Sequence, residues 1–236
     1  MISLEDEAHV AGGGKIRSII LGMNDGLISV FTLLVGIAAA TLATSGNTIV
    51  ILTGVAATVS GAISMGLGEY ISSKSEFNYV QNEIKREEAE LKLFPDEEKE
   101  EVREILHKYG IEGNALDQAV NSITSDKDKW LDFLVGSELG LEEPESPVIG
   151  AVLTFFSFIV GSFIPLFPYF WNLGLVSLIL SSIFSFSMLF MVGAFKTKIT
   201  GEPPAKAGIE MIIVGAVAFI ASYGIGTLMD RLILSL

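Results

Sequence analysis

Asp25 stands inside an apolar run, GMNDGLISVFTLLVG. A carboxylate at membrane depth costs several kcal/mol, so it is normally kept where it faces a pathway or a paired group. The plainer alternative is an interfacial acid near the start of the run. A second run ends in GAISMGLGEYISSKSE, where Met65 and Glu69 are four apart and share one helical face. A thioether beside a carboxylate suits Fe(II) or Mn(II) and disfavours Mg(II) and Ca(II). The alternatives are Met65 as a packing residue and Glu69 as an acid neutralised by Lys74. Further along, Glu87 and Glu90 form one ExxE pair, and Glu98 and Glu101 form another. Each pair points two carboxylates the same way on a helix. A break at Phe94–Pro95 that folds the helices back would bring four carboxylates together. Such a cluster repels itself unless it binds cations; the alternative is a solvated acidic face.

Other candidates carry less. Glu104-Ile-Leu-His107 is the Glu-x-x-His unit of di-iron bundles, but that site needs two such units. The only other histidine, His9, lies in the N-terminal tail, so a ferritin-type oxidase is not expected. Glu210 and Asp230 read as solvated residues at the ends of the last apolar run, and Met188, Met191, Met211 and Met229 as packing residues. The chain has no cysteine, which excludes disulfides, thiolate metal sites and thiol catalysis. It has no GxxxxGK[ST] phosphate loop and no Ser/His/Asp set, so no enzyme and no resident cofactor are expected.

The elements that position these residues follow from hydropathy. The 236 residues are 50% hydrophobic and only 18% charged. Five stretches are long enough to cross a bilayer as helices: Ile19–Ala43, Thr48–Ser72, Val148–Phe170, Leu173–Phe195 and Ile209–Leu228. The fold class is all-α, a polytopic membrane protein. Domains are expected as a tail (1–18), spans one and two (19–72), a Glu-rich helical insert (73–147) and spans three to five (148–236).

Within the insert, a helix continues from the second span to about Leu93. Pro95 opens the next and Gly110 ends it, a short one covers Ala115–Ile123, and the last starts near Asp126 with Trp130, Leu131, Phe133 and Leu134 as its apolar stripe. From Lys74 to Pro147 there are 20 acidic and nine basic residues, a net charge of −11 out of −13 for the chain. That balance argues against nucleic acid as a partner. Lys15, Arg17, Lys74, Lys196, Lys198 and Lys206 flank one side of the spans and only Arg231 the other. The bias puts the N-terminus and insert in the cytoplasm and the C-terminus outside. The acidic, Gly-rich N-terminus has no basic n-region or cleavage site and is not expected to be a removable signal peptide; with no targeting extension, a multi-pass cell-membrane location is expected.

This layout resembles the vacuolar iron transporter family, over nearly the whole chain. NDGLISVFTLLVG in the first span and SGAISMGLGEYISSKSE in the second carry the likeness. The glutamate spacing 87-90-98-101, followed by Glu138, adds to it. The resemblance implies export of Fe(II) or Mn(II) from the cytoplasm, coupled to protons, along a pathway between the subunits of a homodimer. It implies Asp25 and Met65 as pathway ligands, and Glu87, Glu90, Glu98, Glu101 and Glu138 as insert ligands. Two departures remove ligands: Ala57 stands where some members carry Glu, and Leu134 and Val135 where some carry a Met pair. Glu69 would compensate in part. The partners expected are divalent metal ions, protons, the lipid bilayer and a second copy of the chain. Two rival readings are a membrane-embedded metal sensor or cation-gated channel, and a scaffold whose acidic helices bind a basic partner.

Overall fold

The structure, a computed structural model, describes residues 13–45, 47–137, 146–200 and 202–234. They form α1 (Gly13–Ser45), α2 (Asn47–Leu93), α3 (Pro95–Lys108), α4 (Gly113–Thr124), α5 (Lys127–Ser137), α6 (Pro147–Leu166), α7 (Leu175–Thr200) and α8 (Pro204–Leu234). A 3₁₀ turn, Phe167–Trp171, joins α6 to α7, and no strand occurs among the described residues. Five helices, α1, α2, α6 with its 3₁₀ extension, α7 and α8, are long and apolar enough to cross a membrane.

Several helices outrun the expected spans. α7 continues through Lys196, and α8 takes in both Glu210 and Asp230. Backbone hydrogen bonding does not stop where hydropathy does, and long basic side chains reach water from a helix end. The third span is shorter as an α-helix, ending at Leu166. Pro168 has no N–H to give Ile164, so the chain tightens into 3₁₀ geometry there.

Contacts divide the chain into two compact units, Met1–Ile71 with Pro147–Leu236, and Ser72–Ser146. In the first, α1 packs against α6, α7 and α8. Its core holds Val30, Phe31, Leu34 and Val35 of α1, Val50 and Ala62 of α2, Phe158 and Leu166 of α6, and Tyr169. Small residues let the backbones close up. A Cβ on Gly22 would stand 2.5 Å from the Thr154 carbonyl oxygen, and Cβ atoms on Gly26 and Gly161 would strike the backbone of Phe158 and Met23. Outward faces stay apolar, as at Leu52, Val59, Ile63, Leu67 and Ile71 of α2.

In the second unit the core is Leu91, Val102, Ile105, Leu106, Leu116, Val120 and Leu134, with Trp130, Leu131 and Phe133 packed against it. Ion pairs tie its helices: Arg103 to Asp117 at 2.7 Å joins α3 to α4, and Lys127 to Glu88 at 3.3 Å joins α5 to α2. α3 ends in a Schellman turn, with Ile111 N–H donating to Leu106 O and Gly110 N–H to His107 O. Gly110 takes φ +82, which a side chain would resist.

Candidate metal centre

The junction of α2 and α3 positions the carboxylates. Phe94 precedes a proline, leaves helical geometry at φ −133 and ψ 47, and still caps α3 by accepting from the Glu98 N–H at 3.1 Å. Pro95 then occupies the first helical position, where its missing N–H costs nothing. Glu87 lies one turn before Leu91, and Glu98 one turn before Val102, so each carboxylate extends the buried seam of its helix.

The result is that Glu87, Glu90 and Glu98 each offer a carboxylate oxygen within 4.8 Å of the others. Glu87 is 2% exposed and Glu98 5%, while Glu90 is half-buried. Three full charges at that spacing repel by roughly 3–4 kcal/mol per pair at an effective dielectric near 20. Without a cation the cluster relieves this by holding protons. Burial pushes Glu98 up to about 8, with the charge of Glu101 and the neighbouring Glu87 adding to it. Burial also raises Glu87; the hydrogen bond from Glu98 works against that rise, and the charges of Glu90 and Glu101 reinforce it. Arg86 lies 3.7 Å from Glu90 and supplies a partial counter-charge. Even so, Glu87 Oε1 and Glu98 Oε2 are buried without a hydrogen-bond partner. A cluster of three acids, two of them with a buried oxygen lacking a partner, is an oxygen-donor set that a divalent cation would satisfy.

Glu101 is half-buried and outside the 4.8 Å set, near enough to act on it through its charge. Glu138 lies outside the described residues. Glu104 and His107 are exposed on the other side of α3, His107 facing Glu112 at 3.9 Å. Leu134 is fully buried in the insert core.

In the apolar unit, Asp25 is half-buried on α1 beside Gly26, whose contact with Phe158 sets how closely α1 meets α6. Met65 is half-buried against the bundle core, as is Ala57. Glu69 accepts a hydrogen bond from Ser18 Oγ at 3.1 Å, and Gly150 leaves room for the pair, since a Cβ there would lie 3.2 Å from Glu69 Oε1. Among the described residues, neither Asp25 nor Glu69 joins a group of acids close enough to share an ion. Two polar partners went unread in the sequence. Ser18 is separated from Glu69 by 51 positions, so nothing local announces the bond. Asn24, whose buried Oδ1 has no partner, did carry a signal as a second polar residue at membrane depth.

Residues 16–227 match the model of the VIT family. Vacuolar iron transporter 1 of Tulipa gesneriana is 35% identical over 226 residues, covering 94% of this chain and 90% of the relative. Its namesake in Arabidopsis thaliana is 36% identical, covering 92% and 87%. A vacuolar iron transporter of Plasmodium berghei is 30% identical, covering 94% and 85%. With five apolar helices in place and the match running across both units, the chain belongs to the VIT family.

Proposed function

We propose that the protein exports divalent transition-metal ions, Fe(II) or Mn(II), from the cytoplasm in exchange for protons. The observation that carries this is the Glu87–Glu90–Glu98 cluster, with two buried carboxylate oxygens lacking partners. The names of the relatives, vacuolar iron transporters, support iron as cargo.

In this reading the insert faces the cytoplasm and its net charge of −11 raises the local cation concentration. Glu87, Glu90 and Glu98 take the ion, with Glu101 and Glu138 completing the oxygen set. Because Glu98 holds a proton near neutral pH, capture displaces it, and ligand deprotonation makes binding pH-dependent. The ion then sheds part of its water to Asp25 and Met65 and crosses along the interface of a homodimer in the cell membrane, with Glu69 lining the approach. Thioether and carboxylate together favour a borderline-soft ion over Mg(II). Protons entering from outside compete for the same carboxylates, since a protonated acid is a poor ligand, and that competition drives exchange without ATP.

The test is flux in proteoliposomes with Fe(II), Mn(II), Co(II) and Zn(II), with and without a pH gradient, while a lumenal dye follows protons. Metal flux that tracks the gradient, with protons moving oppositely, is expected. Flux indifferent to the gradient would favour a cation-gated channel, and binding without flux a sensor; either overturns the exporter.

A further inference from the structure

At the end of the apolar bundle opposite residues 71 and 147, where α1 gives way to α2 and α6 to α7, five polar side chains are sealed from solvent. Asn47 is 1% exposed, and Tyr169, Ser177, Ser181 and Ser185 are fully buried. Some of their bonding capacity is used. Asn47 Nδ2 donates to the Tyr169 carbonyl and to Ser177 Oγ, both at 2.9 Å. Ser181 Oγ donates to the Pro165 carbonyl at 2.7 Å, an acceptor freed by the 3₁₀ turn. Two atoms remain buried with no partner, Asn47 Oδ1 and Ser185 Oγ, and the Tyr169 hydroxyl has only Ser181 to pair with. Ser181 in turn donates onward to Pro165, and Ser185 follows one helical turn later. Nearby serines and threonines fold back onto their own helix, as Ser182 does onto the Leu178 carbonyl at 2.8 Å and Thr58 onto Gly54 at 2.8 Å. Ser185 does not.

A buried polar atom left dry bears its full desolvation cost, and the ordinary remedy is ordered water with two to four polar partners. Ser177, Ser181 and Ser185 recur every four residues on one face of α7, a rise of about 12 Å, a little over a third of a hydrocarbon core of about 30 Å. No charged residue occurs in α6 or in α7 before Lys196. A dehydrated divalent ion would find no compensating charge there. Hydroxyls and water both donate and accept, which is what a relay of protons requires.

We propose that Asn47, Tyr169, Ser177, Ser181 and Ser185 hold a buried file of water molecules that admits protons, and excludes metal ions, from this end of the bundle toward mid-membrane. Each water accepts a proton on one side and releases another on the other, so no side chain changes its net protonation. The relay rests on the proton exchange proposed above; the water site itself does not.

Radiolytic hydroxyl-radical footprinting of the full chain in nanodiscs, run in ¹⁸O water, tests the water site. Tyr169 is expected to label at a rate approaching that of exposed Tyr109. Labelling as low as that of Phe31, an aromatic equally buried but in the dry core, would overturn the proposal whatever the protein transports. The relay is tested with Tyr169→Phe and Ser185→Ala together, and with Tyr169→Phe alone, which keeps the packed volume. Metal-coupled proton flux in proteoliposomes is expected to fall at least about tenfold while Mn(II) affinity of the insert stays unchanged. Full proton flux in a folded double variant would overturn the relay. A wild-type protein that moves metal without protons would sink the exchange reading, and footprinting would still decide the water site.

Discussion

Single side chains carry the chemistry, and two make sharp tests. Asp25→Asn removes a charge from α1 with almost no change of shape. Metal flux is expected to drop to background while the purified variant elutes and melts like the parent; full flux would remove Asp25 from the pathway. Glu98 is the more informative acid, because burial and its neighbours move it from 4.5 to about 8. The folded insert therefore keeps a proton that the unfolded chain releases between those values. Stability from this group is complete below pH 4.5 and lost as pH rises through 8. With metal absent, unfolding followed by Trp130 fluorescence in a Trp171→Phe background is expected at lower temperature at pH 8.5 than at pH 5.5. Saturating Mn(II) is expected to reverse that order, since the ion needs the ionised form. Glu98→Gln should weaken Mn(II) binding by roughly ten- to a hundredfold, equivalent to about 1.5–3 kcal/mol for an interaction with a charged group. It should also reduce the pH dependence of metal-free stability, leaving the part due to Glu87, and titration calorimetry in two buffers would read the missing proton release.

Helices decide whether those side chains meet. α1 presents Gly22 and Gly26 to α6, which answers with Gly161. Gly26→Leu would force α1 and α6 apart against the Phe158 backbone, which cannot yield as a side-chain tip could. Loss of monodisperse protein, or a fall of several degrees in melting temperature, is expected. Gly68 supplies the control: a Cβ there meets nothing within 4 Å, so Gly68→Ala should keep or slightly raise stability, by up to about 1 kcal/mol in a helix interior. A melt in which both variants behave alike would remove the glycine contact as the organising feature of this helix pair. In the insert the same scale belongs to Phe94–Pro95, where one non-helical residue turns a long helix into two that share a carboxylate cluster.

At the scale of the molecule, charge and apolarity are sorted along the chain. The insert holds 20 of the 28 acids, and the spans hold almost none. An acidic surface of that kind attracts cations over a distance set by salt, about 10 Å at 0.1 M and about 3 Å at 1 M. Initial rates of Mn(II) capture are expected to fall steeply between those concentrations, whereas affinity for the buried Glu87–Glu90–Glu98 set should change less because burial limits screening. Rates independent of KCl would show that the surface charge does not steer ions.

Residue order alone determined the five apolar helices, the long α2, the proline start of α3 and the stripe of α5, because hydropathy, helical periodicity and proline chemistry act over a few residues. The ExxE spacing also announced that Glu87 and Glu90, and Glu98 and Glu101, would point in pairs. Which members of the two pairs would converge was decided only in three dimensions, where the α2–α3 turn brings Glu98 to Glu87 and Glu90 and leaves Glu101 outside the close set. Burial, and with it the raised affinity of Glu98 for its proton, likewise depends on neighbours contributed by other helices. The Ser18–Glu69 bond and the Asn47–Tyr169 contact, 51 and 122 residues apart, have no local signature. Short-range physics writes the elements into the sequence; the desolvation and pairing of polar groups belong to the packing that brings distant residues together.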